Sequence, residues 1–231
     1  MTKIVVLTGA GISAESGVPT FRDADGLWEG HDVEDVATPH GFLARPDVVH
    51  AFYDARRAAL EHVVPNLAHA ALARLEHWFA DDLLVVTQNI DDLHERAGST
   101  RVLHMHGRLR SALCSTCGTR TEWTGALAHG PECPSCGAPD LRPDVVWFGE
   151  IPYEMDRIFA ALDEADLFVS IGTSGAVYPA AGFVQHAMAR GARTLELNLE
   201  PSEGTSWFHE ARHGPAGLLV PEWVDQLLGA G

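Results

Sequence analysis

The chain has 231 residues, 46% of them hydrophobic, and a formal net charge of −16 at pH 7. This length and apolar share are typical of one globular domain, or of one domain with a small satellite, and exclude a disordered chain. The negative charge argues against general binding to nucleic acid or to an anionic membrane surface. No stretch approaches the roughly 20 apolar residues of a transmembrane helix. The first residues lead straight into an apolar strand and lack the layout of a cleavable signal, so we expect a cytoplasmic protein.

The first predicted element is a buried strand that enters a glycine turn. The segment KIVVLTGAGIS (3–13) opens with an apolar, β-branched run and breaks at Gly9 and Gly11, after which we expect a helix. Gly9, Gly11 and Ala14 fit the G-x-G-x-x-G/A pattern of a dinucleotide-binding turn, in which glycines allow close approach to a pyrophosphate. The same spacing is common in structural turns, and no acidic residue closes a second strand roughly 20 residues later, where a ribose contact is expected.

A long polar loop, SGVPTFRDADGLWEG (16–30), follows instead, and loops of this length are usually functional or disordered.

The later stretch AFYDARRAAL (51–60) has the spacing of an amphipathic helix. Tyr53 and Arg56 lie three residues apart on it, so a phenol and a guanidinium share one face. The spacing predicts that Phe52, Ala55 and Ala59 face a core. It predicts that Asp54 and Arg57, on the other side of the helix, face water.

Further apolar runs of strand length alternate with helical stretches along the chain. The strands are predicted at 83–88, 166–172 and 193–198, and the helices at 65–79, 154–165, 179–191 and 221–229. This alternation predicts an α/β fold in which helices cover both faces of a parallel sheet. Two segments interrupt it, at about 17–64 and 110–142. Neither can supply much core by itself, so we expect them to form a small second lobe together.

Polar side chains cluster where the predicted strands end. Gln88, Asn89 and Asp91 follow one strand, the turn at 172–175 follows another, and Asn198 and Glu200 follow a third. Because open α/β sheets gather ligand groups at the carboxyl ends of their strands, these groups are expected to converge on one crevice. Capping of strand ends would explain any one of them, but explains the set less well.

Two histidines lie between the second strand and the cysteines. The segment VLHMHG (102–107) places His104 and His106 on the same side if it is extended. A lone histidine is usually structural, whereas one that titrates near neutrality can serve as a general base. The chemistry of the two residues leaves the choice between them open.

The four cysteines form two CxxC pairs. The spacing C-x2-C-x15-C-x2-C, with Cys114, Cys117, Cys133 and Cys136, lies within the range of four-cysteine zinc sites. Four thiolates close a tetrahedral shell, so the metal is expected to hold the fold and not to do chemistry. A redox dithiol is the alternative, and two matched pairs in one loop-rich segment disfavour it.

Together these motifs resemble the sirtuin family of NAD-dependent protein lysine deacylases. The matching stretches are GAGISAESGVPTFRDADGLW (9–28), TQNIDDLH (87–94), HG (106–107), the four cysteines, RPDVVWFGE (142–150), GTS (172–174) and NLE (198–200). The resemblance implies an α/β fold with a Rossmann-like parallel sheet domain formed by 1–30, 81–109 and 143–231. The small lobe would comprise a helical segment, 31–64, and a zinc module, 110–142.

The resemblance also implies where NAD and the acyl-lysine bind. Asn89 and Asp91 line the nicotinamide pocket, Gln88 contacts the ribose, and Arg22 belongs to a mobile loop over the cofactor. His106, and not His104, matches the general base, and Asn89 is also catalytic. The implied NAD-binding residues are Gly9, Ala10, Gly11, Ile12, Ser13, Glu15, Ser16, Thr20, Phe21, Arg22, Trp28, Gln88, Asn89, Ile90, Asp91, Gly172, Thr173, Ser174, Asn198, Leu199, Glu200 and Ala216.

The resemblance also implies which residues bind the acylated lysine segment: a strip at 145–150 and the pair Tyr53 and Arg56. The strip 145–150 would pair with the backbone of an acylated lysine segment through Val146, Phe148 and Gly149, although Phe148 could equally be core. Tyr53 and Arg56 match the Tyr-x-x-Arg pair that, in one sirtuin class, favours succinyl, malonyl or glutaryl lysine. A cation and a hydroxyl donor suit an acyl chain that ends in a carboxylate.

The implied reaction transfers the acyl group to the ribose of NAD, releasing nicotinamide, O-acyl-ADP-ribose and free lysine. NAD is therefore consumed, and one structural zinc is expected. The expected partners are acylated lysine segments of other proteins, without nucleic acid or membrane. A monomer is expected, because no extension precedes the first strand. The alternatives are an NAD-dependent protein ADP-ribosyltransferase and a non-catalytic NAD-binding sensor with a zinc module.

Overall fold

A six-stranded parallel sheet forms the centre of the computed structural model, which describes residues 2–20, 28 and 30–229. The described strands are β1 (Ile4–Thr8), β2 (Leu83–Thr87), β3 (Val102–His104), β4 (Gly107–Cys114), β5 (Arg120–Glu122), β6 (Leu141–Val145), β7 (Leu167–Ile171), β8 (Arg193–Asn198) and β9 (Glu210–His213). The large sheet has the order β3-β2-β1-β7-β8-β9, and every neighbouring pair is parallel. The predicted α/β class is confirmed.

Helices cover the sheet on both faces. The described helices are α1 (Val33–Val36), α2 (Pro39–Ala44), α3 (Pro46–Ala59), α4 (Leu67–Phe79), α5 (Leu93–Arg96), α6 (Met155–Glu164), α7 (Phe183–Ala189) and α8 (Ala216–Gly229). Apolar residues of α4 and α8 pack on one face with alternate residues of β1, such as Ile4 and Val6. Residues of α6 and α7 pack on the other with Val5 and Leu7. The period of two in a strand explains why a fully apolar β1 serves both cores.

The small lobe has a core of its own. Residues of α1 and α3 pack on Leu109 of β4, Val145 of β6 and the adjacent Trp147. A second small core, with Ala112, Cys114, Leu127, Cys133 and Leu141, lies beneath the cysteines. The antiparallel sheet β5-β4-β6 joins the two cores. This sheet begins at Gly107 and ends at Val145, so its strands cross the limits at 110 and 142 that we predict for the zinc module.

Two elements differ from the sequence prediction. Directly after the glycine turn, in the described residues 10–20, the chain forms no α-helix. It makes two short 3-10 turns instead (Ala10–Ile12 and Ala14–Ser16) and then leaves through Gly17 at φ +89°. The last helix begins at Ala216, five residues before the predicted start at Pro221, which lies inside it. Across the described part of the chain, we find no helix both long and apolar enough to cross a membrane.

Candidate active site

A cavity of about 1090 Å³ lies between the carboxyl ends of the parallel strands and the small lobe. Thr8 pairs with both Thr87 and Ile171, so β1, β2 and β7 end at one level. The turns that follow them open into the same cleft, as expected for an open α/β sheet. The predicted site residues that line it are Gly9, Ala10, Gly11, Glu15, Thr20, Trp28, Tyr53, Arg56, Gln88, Asn89, Ile90, Asp91, His106, Val146, Phe148, Gly149, Gly172, Thr173, Ser174, Asn198, Leu199, Glu200 and Ala216.

Three predicted NAD-binding residues, Ile12, Ser13 and Ser16, do not line the cavity. Two others, Phe21 and Arg22, lie outside the described residues. Ile12 is fully buried in the core beneath α4 and α8, and Ser13 is also fully buried. Ser16 accepts a hydrogen bond from the Asn66 side chain, 3.0 Å away. Ile12, Ser13 and Ser16 thus support the wall of the cavity from behind.

The glycine turn packs backbone against backbone. The amide of Gly11 donates to the carbonyl oxygen of Gly172 at 2.9 Å, and a Cβ on Gly11 would lie 2.7 Å from the Cα of Gly172. Gly172 itself has φ +63°. Since side chains would separate the two turns, the glycines are needed for this contact as well as for ligand access. The turns after β1 and β7 therefore hold each other at the edge of the cavity.

A buried hydrogen-bond chain fixes the amide and carboxylate that follow β2. Asn89 Nδ2 donates to the Gly9 carbonyl oxygen and to Ser13 Oγ, each at 3.1 Å. Ser13 Oγ in turn donates to Asp91 Oδ2 at 3.0 Å. Burial raises the pKa of Asp91, while hydrogen bonds from the Leu93 amide and Ser13 oppose that rise. The chain positions Asn89 and Asp91 in the wall of the predicted nicotinamide pocket.

Two residues that support this hydrogen-bond chain from behind, Asn66 and His69, were not predicted from the sequence. Asn66 caps α4 and His69 completes a capping box with it, since the Asn66 amide donates to His69 Nδ1. Burial lowers the pKa of His69 to about 4, so its ring is neutral at pH 7. With Nδ1 accepting, the proton lies on Nε2, 3.4 Å from Ser13 Oγ. The Asn-x-x-His spacing at the start of the helix was the available signal.

The structure separates the two histidines that the residues alone leave equivalent. His104 uses both ring nitrogens, Nδ1 to the Asn89 carbonyl oxygen at 3.1 Å and Nε2 to Glu95 at 2.6 Å. His106 uses Nδ1, which lies 3.1 Å from the Gln88 carbonyl oxygen, and its ring lines the cavity. A carbonyl can only accept, so Nδ1 carries the proton and Nε2 keeps a lone pair. Burial lowers the pKa of His106, which keeps that lone pair available at neutral pH.

Tyr53 and Arg56 share a face of α3 that forms part of the cavity wall. Tyr53 is fully buried, and the guanidinium carbon of Arg56 lies 3.2 Å from the ring centroid of Phe52 and 4.6 Å from that of Trp28. A cation held against aromatic rings is partly desolvated, which strengthens its attraction for an anion. The pair therefore brings a hydroxyl and a cation to one part of the cavity.

The prediction for the rest of this helix is wrong in part. Ala55 and Ala59 are exposed and line the cavity, so they do not face a core. Arg57 is buried, with only 3% of its surface exposed, so it does not face water. Its Nη1 contacts Asp54, whose carboxylate accepts from the amides of Leu127 and Ala128. Asp54 and Arg57 are removed from solvent because the zinc module packs on that face of α3.

The strip 145–150 runs along the cavity beside His106. The Val146 amide donates to the His106 carbonyl oxygen, and the Phe148 amide to that of Ala37, each at 2.9 Å. Phe148 is 45% exposed, so it is not part of a core. Glu150 accepts from the Trp147 amide and from Arg142, both at 2.8 Å. The strip is therefore held from both sides while one edge borders the cleft.

The other end of the cavity is formed by the turns after β7 and β8 and by the start of α8. Asn198 Nδ2 donates to the Thr173 carbonyl oxygen at 2.8 Å, which joins the two turns. Glu15 Oε1 accepts from the Gly217 amide at 2.8 Å, at the N-terminal end of α8. A carboxylate at a helix N-terminus is favourable, so Glu15 holds Ala216 against the cavity.

The four cysteine sulfurs lie close enough to share one metal ion. Their Sγ atoms are all within 4.8 Å of one another, with Cys114 3.7 Å from Cys136 and Cys117 3.8 Å from Cys133. Tetrahedral Zn–S bonds of about 2.3 Å place sulfurs roughly 3.8 Å apart. The donor set therefore fits the predicted zinc ion, with Cys114, Cys117, Cys133 and Cys136 as its ligands.

Known proteins resemble this chain in sequence and in fold. The model of the Sir2 family matches residues 9–179. An NAD-dependent protein deacylase of Escherichia coli (strain K12) is 57% identical over 98% of this chain and 82% of its own length. One from Yersinia pestis is 55% identical over 97% of this chain and 82% of its own.

Solved structures agree with these relatives. A Sir2 homolog–NAD complex has a TM-score of 0.90 and 40% identity, covering 99% of this chain and 90% of that one. A Sir2 protein bound to acetylated peptide has a TM-score of 0.83 and 27% identity, covering 99% and 94%. Family model, sequence identity and fold thus converge, and the chain belongs to the Sir2 family.

Proposed function

We propose that this chain is an NAD-dependent protein lysine deacylase whose acyl pocket favours acyl chains that end in a carboxylate. Succinyl and malonyl groups are the intended substrates, and acetyl groups are removed as well. The observation that carries the proposal is that Tyr53 and Arg56 line the same cavity as His106. Relatives that are 57% identical are named NAD-dependent protein deacylases, which supports the reaction class.

The base in the proposed reaction is His106. Its Nδ1–H is held by the Gln88 carbonyl oxygen, so Nε2 accepts a proton from a hydroxyl brought into the cavity. Bound NAD supplies the ribose that receives the acyl group and the nicotinamide that leaves. Asn89 and Asp91 line the cavity near that base and, with Gly9 and Ser13, shape the wall against which nicotinamide would bind.

Acyl preference follows from Arg56. The protein carries a formal charge of −16, so an anionic acyl group needs a local cation to enter. A hydrogen bond between charged groups contributes roughly 1.5 to 3 kcal/mol. That free energy corresponds to a change of roughly 10- to 150-fold in kcat/KM. An acetyl group makes no such bond, so its turnover should depend little on Arg56.

Acyl profiling on one peptide scaffold tests this proposal. We expect Arg56→Met to lower kcat/KM for succinyl-lysine by roughly 10- to 150-fold and to change that for acetyl-lysine little. Arg190→Met is the matched control, because Arg190 is an exposed arginine at the end of α7, paired with Asp163. If Arg56→Met keeps the native desuccinylase rate, the proposed preference is wrong.

The product identifies the reaction. Mass spectrometry should find O-acyl-ADP-ribose in a ratio of one to each lysine freed, and nicotinamide release should require the acylated peptide. ADP-ribose attached to protein would indicate a transferase instead. The monomeric state and the cytoplasmic location stay predictions, and light scattering after gel filtration tests the first of them.

A further inference from the structure

The indole of Trp147 is held rigidly beside the proposed acyl pocket. Only 3% of Trp147 is exposed, and it lies two residues after the end of β6. The guanidinium carbon of Arg142 lies 4.1 Å from its ring centroid, and the ring of Phe42 lies 5.0 Å away. Glu150 accepts from both Arg142 and the Trp147 amide. The stacked Arg142 and the hydrogen bond from the Trp147 amide to Glu150 fix the direction in which the indole N–H points.

That N–H donates a hydrogen bond to the hydroxyl of Tyr53. Trp147 Nε1 lies 3.1 Å from the Tyr53 hydroxyl oxygen, and both residues are buried. An indole nitrogen only donates, so the Tyr53 oxygen must accept, and its own proton must point elsewhere. Within the described residues, that proton meets no acceptor, although Tyr53 lines the cavity. Burial raises the pKa of Tyr53, so the phenol keeps its proton at neutral pH.

We propose that Trp147 is a positioning residue for acyl specificity. By donating its indole N–H to the Tyr53 hydroxyl oxygen, it leaves the hydroxyl proton of Tyr53 free to donate into the acyl pocket. The inference rests on the proposed function, since it needs an acyl chain with an oxygen to accept that proton. A terminal carboxylate accepts it. An acetyl group has no carboxylate beyond its amide carbonyl and gains nothing there, so this orientation of the hydroxyl widens the difference between succinyl and acetyl substrates.

Four proteins test the inference: native, Trp147→Phe, Tyr53→Phe and the double variant. The measured quantity is the ratio of kcat/KM for succinyl-lysine to that for acetyl-lysine on one peptide. We expect Trp147→Phe to lower this ratio about three- to tenfold, which corresponds to one ordinary hydrogen bond. In the Tyr53→Phe background, Trp147→Phe should leave the ratio unchanged, because the hydroxyl that it orients is gone.

A control separates orientation from packing. Phe42→Leu removes a ring that packs on Trp147 but leaves the indole N–H intact, so the ratio should stay native. Should Trp147→Phe fail to fold, β-(3-benzothienyl)alanine at position 147 keeps the shape of the indole and replaces the N–H with sulfur. The same loss of ratio is expected from that replacement.

The outcomes distinguish this inference from the proposed function. If Tyr53→Phe lowers the ratio but Trp147→Phe does not, the inference is wrong and the acyl preference stands. An equal effect of Trp147→Phe with and without the Tyr53 hydroxyl also overturns it, because packing alone would then explain the loss. If Tyr53→Phe does not change the native ratio, the inference is also wrong, whereas the acyl preference fails only if Arg56→Met keeps the native desuccinylase rate.

Discussion

The buried pair Asp54 and Arg57 should be essential for attaching the zinc module to α3. Arg57 is 3% exposed and donates to the Leu109 carbonyl oxygen at 2.7 Å, to Asp54 at 2.5 Å and to the Gly125 carbonyl oxygen at 3.2 Å. Asp54 accepts from the amides of Leu127 and Ala128. One guanidinium thus joins a helix of the lobe, a strand beneath it and the loop that leads to Cys133.

Arg57→Met would leave the Asp54 carboxylate without its counter-charge in a protein interior. Breaking a buried ion pair from one side costs about 3 to 5 kcal/mol, out of a total stability of about 5 to 15 kcal/mol for a typical domain. The assay is urea unfolding of the zinc-loaded protein, with zinc retention measured alongside. Arg74→Met is the control, because Arg74 and Asp225 form an exposed pair, and we expect it to change stability by less than about 0.5 kcal/mol.

The double variant Asp54→Asn/Arg57→Met sharpens the test. Since it removes both charges together, its cost should be smaller than the sum of the two single variants by about 0.5 to 3 kcal/mol. If Arg57→Met unfolds within about 1 kcal/mol of the native protein, or if the single effects simply add, the pair does not join the module to the helix in the way described.

Three further predictions follow from the site. Burial lowers the pKa of His106 below the ordinary 6.5, and the base works only when neutral, so kcat/KM should decline with falling pH only below 6.5. An acid limb above pH 7 would contradict the assignment. Removal of zinc by a chelator should expose the segment 115–139 to proteases first, because its core has only five buried residues. First cleavage elsewhere would refute that expectation. Glu15→Gln should raise KM for NAD about two- to fivefold through the start of α8, with KM for the acyl peptide unchanged. Equal changes in both would instead indicate a general loss of structure.

The sequence predicted the centre of the fold because buried parallel strands leave a strong local signal. The runs at 83–88, 166–172 and 193–198 match β2, β7 and β8 to within one residue at either end. The edge strands β3 and β9 have three and four residues and are partly exposed, so no apolar run marks them. Their pairing to the sheet, which no local pattern records, decides their conformation.

The helix predicted after Gly11 shows the same limit. Local pattern favours a helix after a strand and glycines, but the turn must also fit against Gly172, 161 residues away. That contact gives two 3-10 turns instead. A short-range rule cannot include a long-range backbone contact of this kind.

By itself, the sequence determined the fold class, the four cysteines predicted to bind zinc and the polar groups that follow the strands, because each depends on residue type, period and spacing along the chain. Only the tertiary structure decided which histidine keeps Nε2 available, that Arg57 is buried, and that the indole of Trp147 meets the hydroxyl of Tyr53, 94 residues away. Those outcomes depend on which hydrogen-bond partners the fold brings within about 3 Å, and the order of residues in the chain does not contain that information.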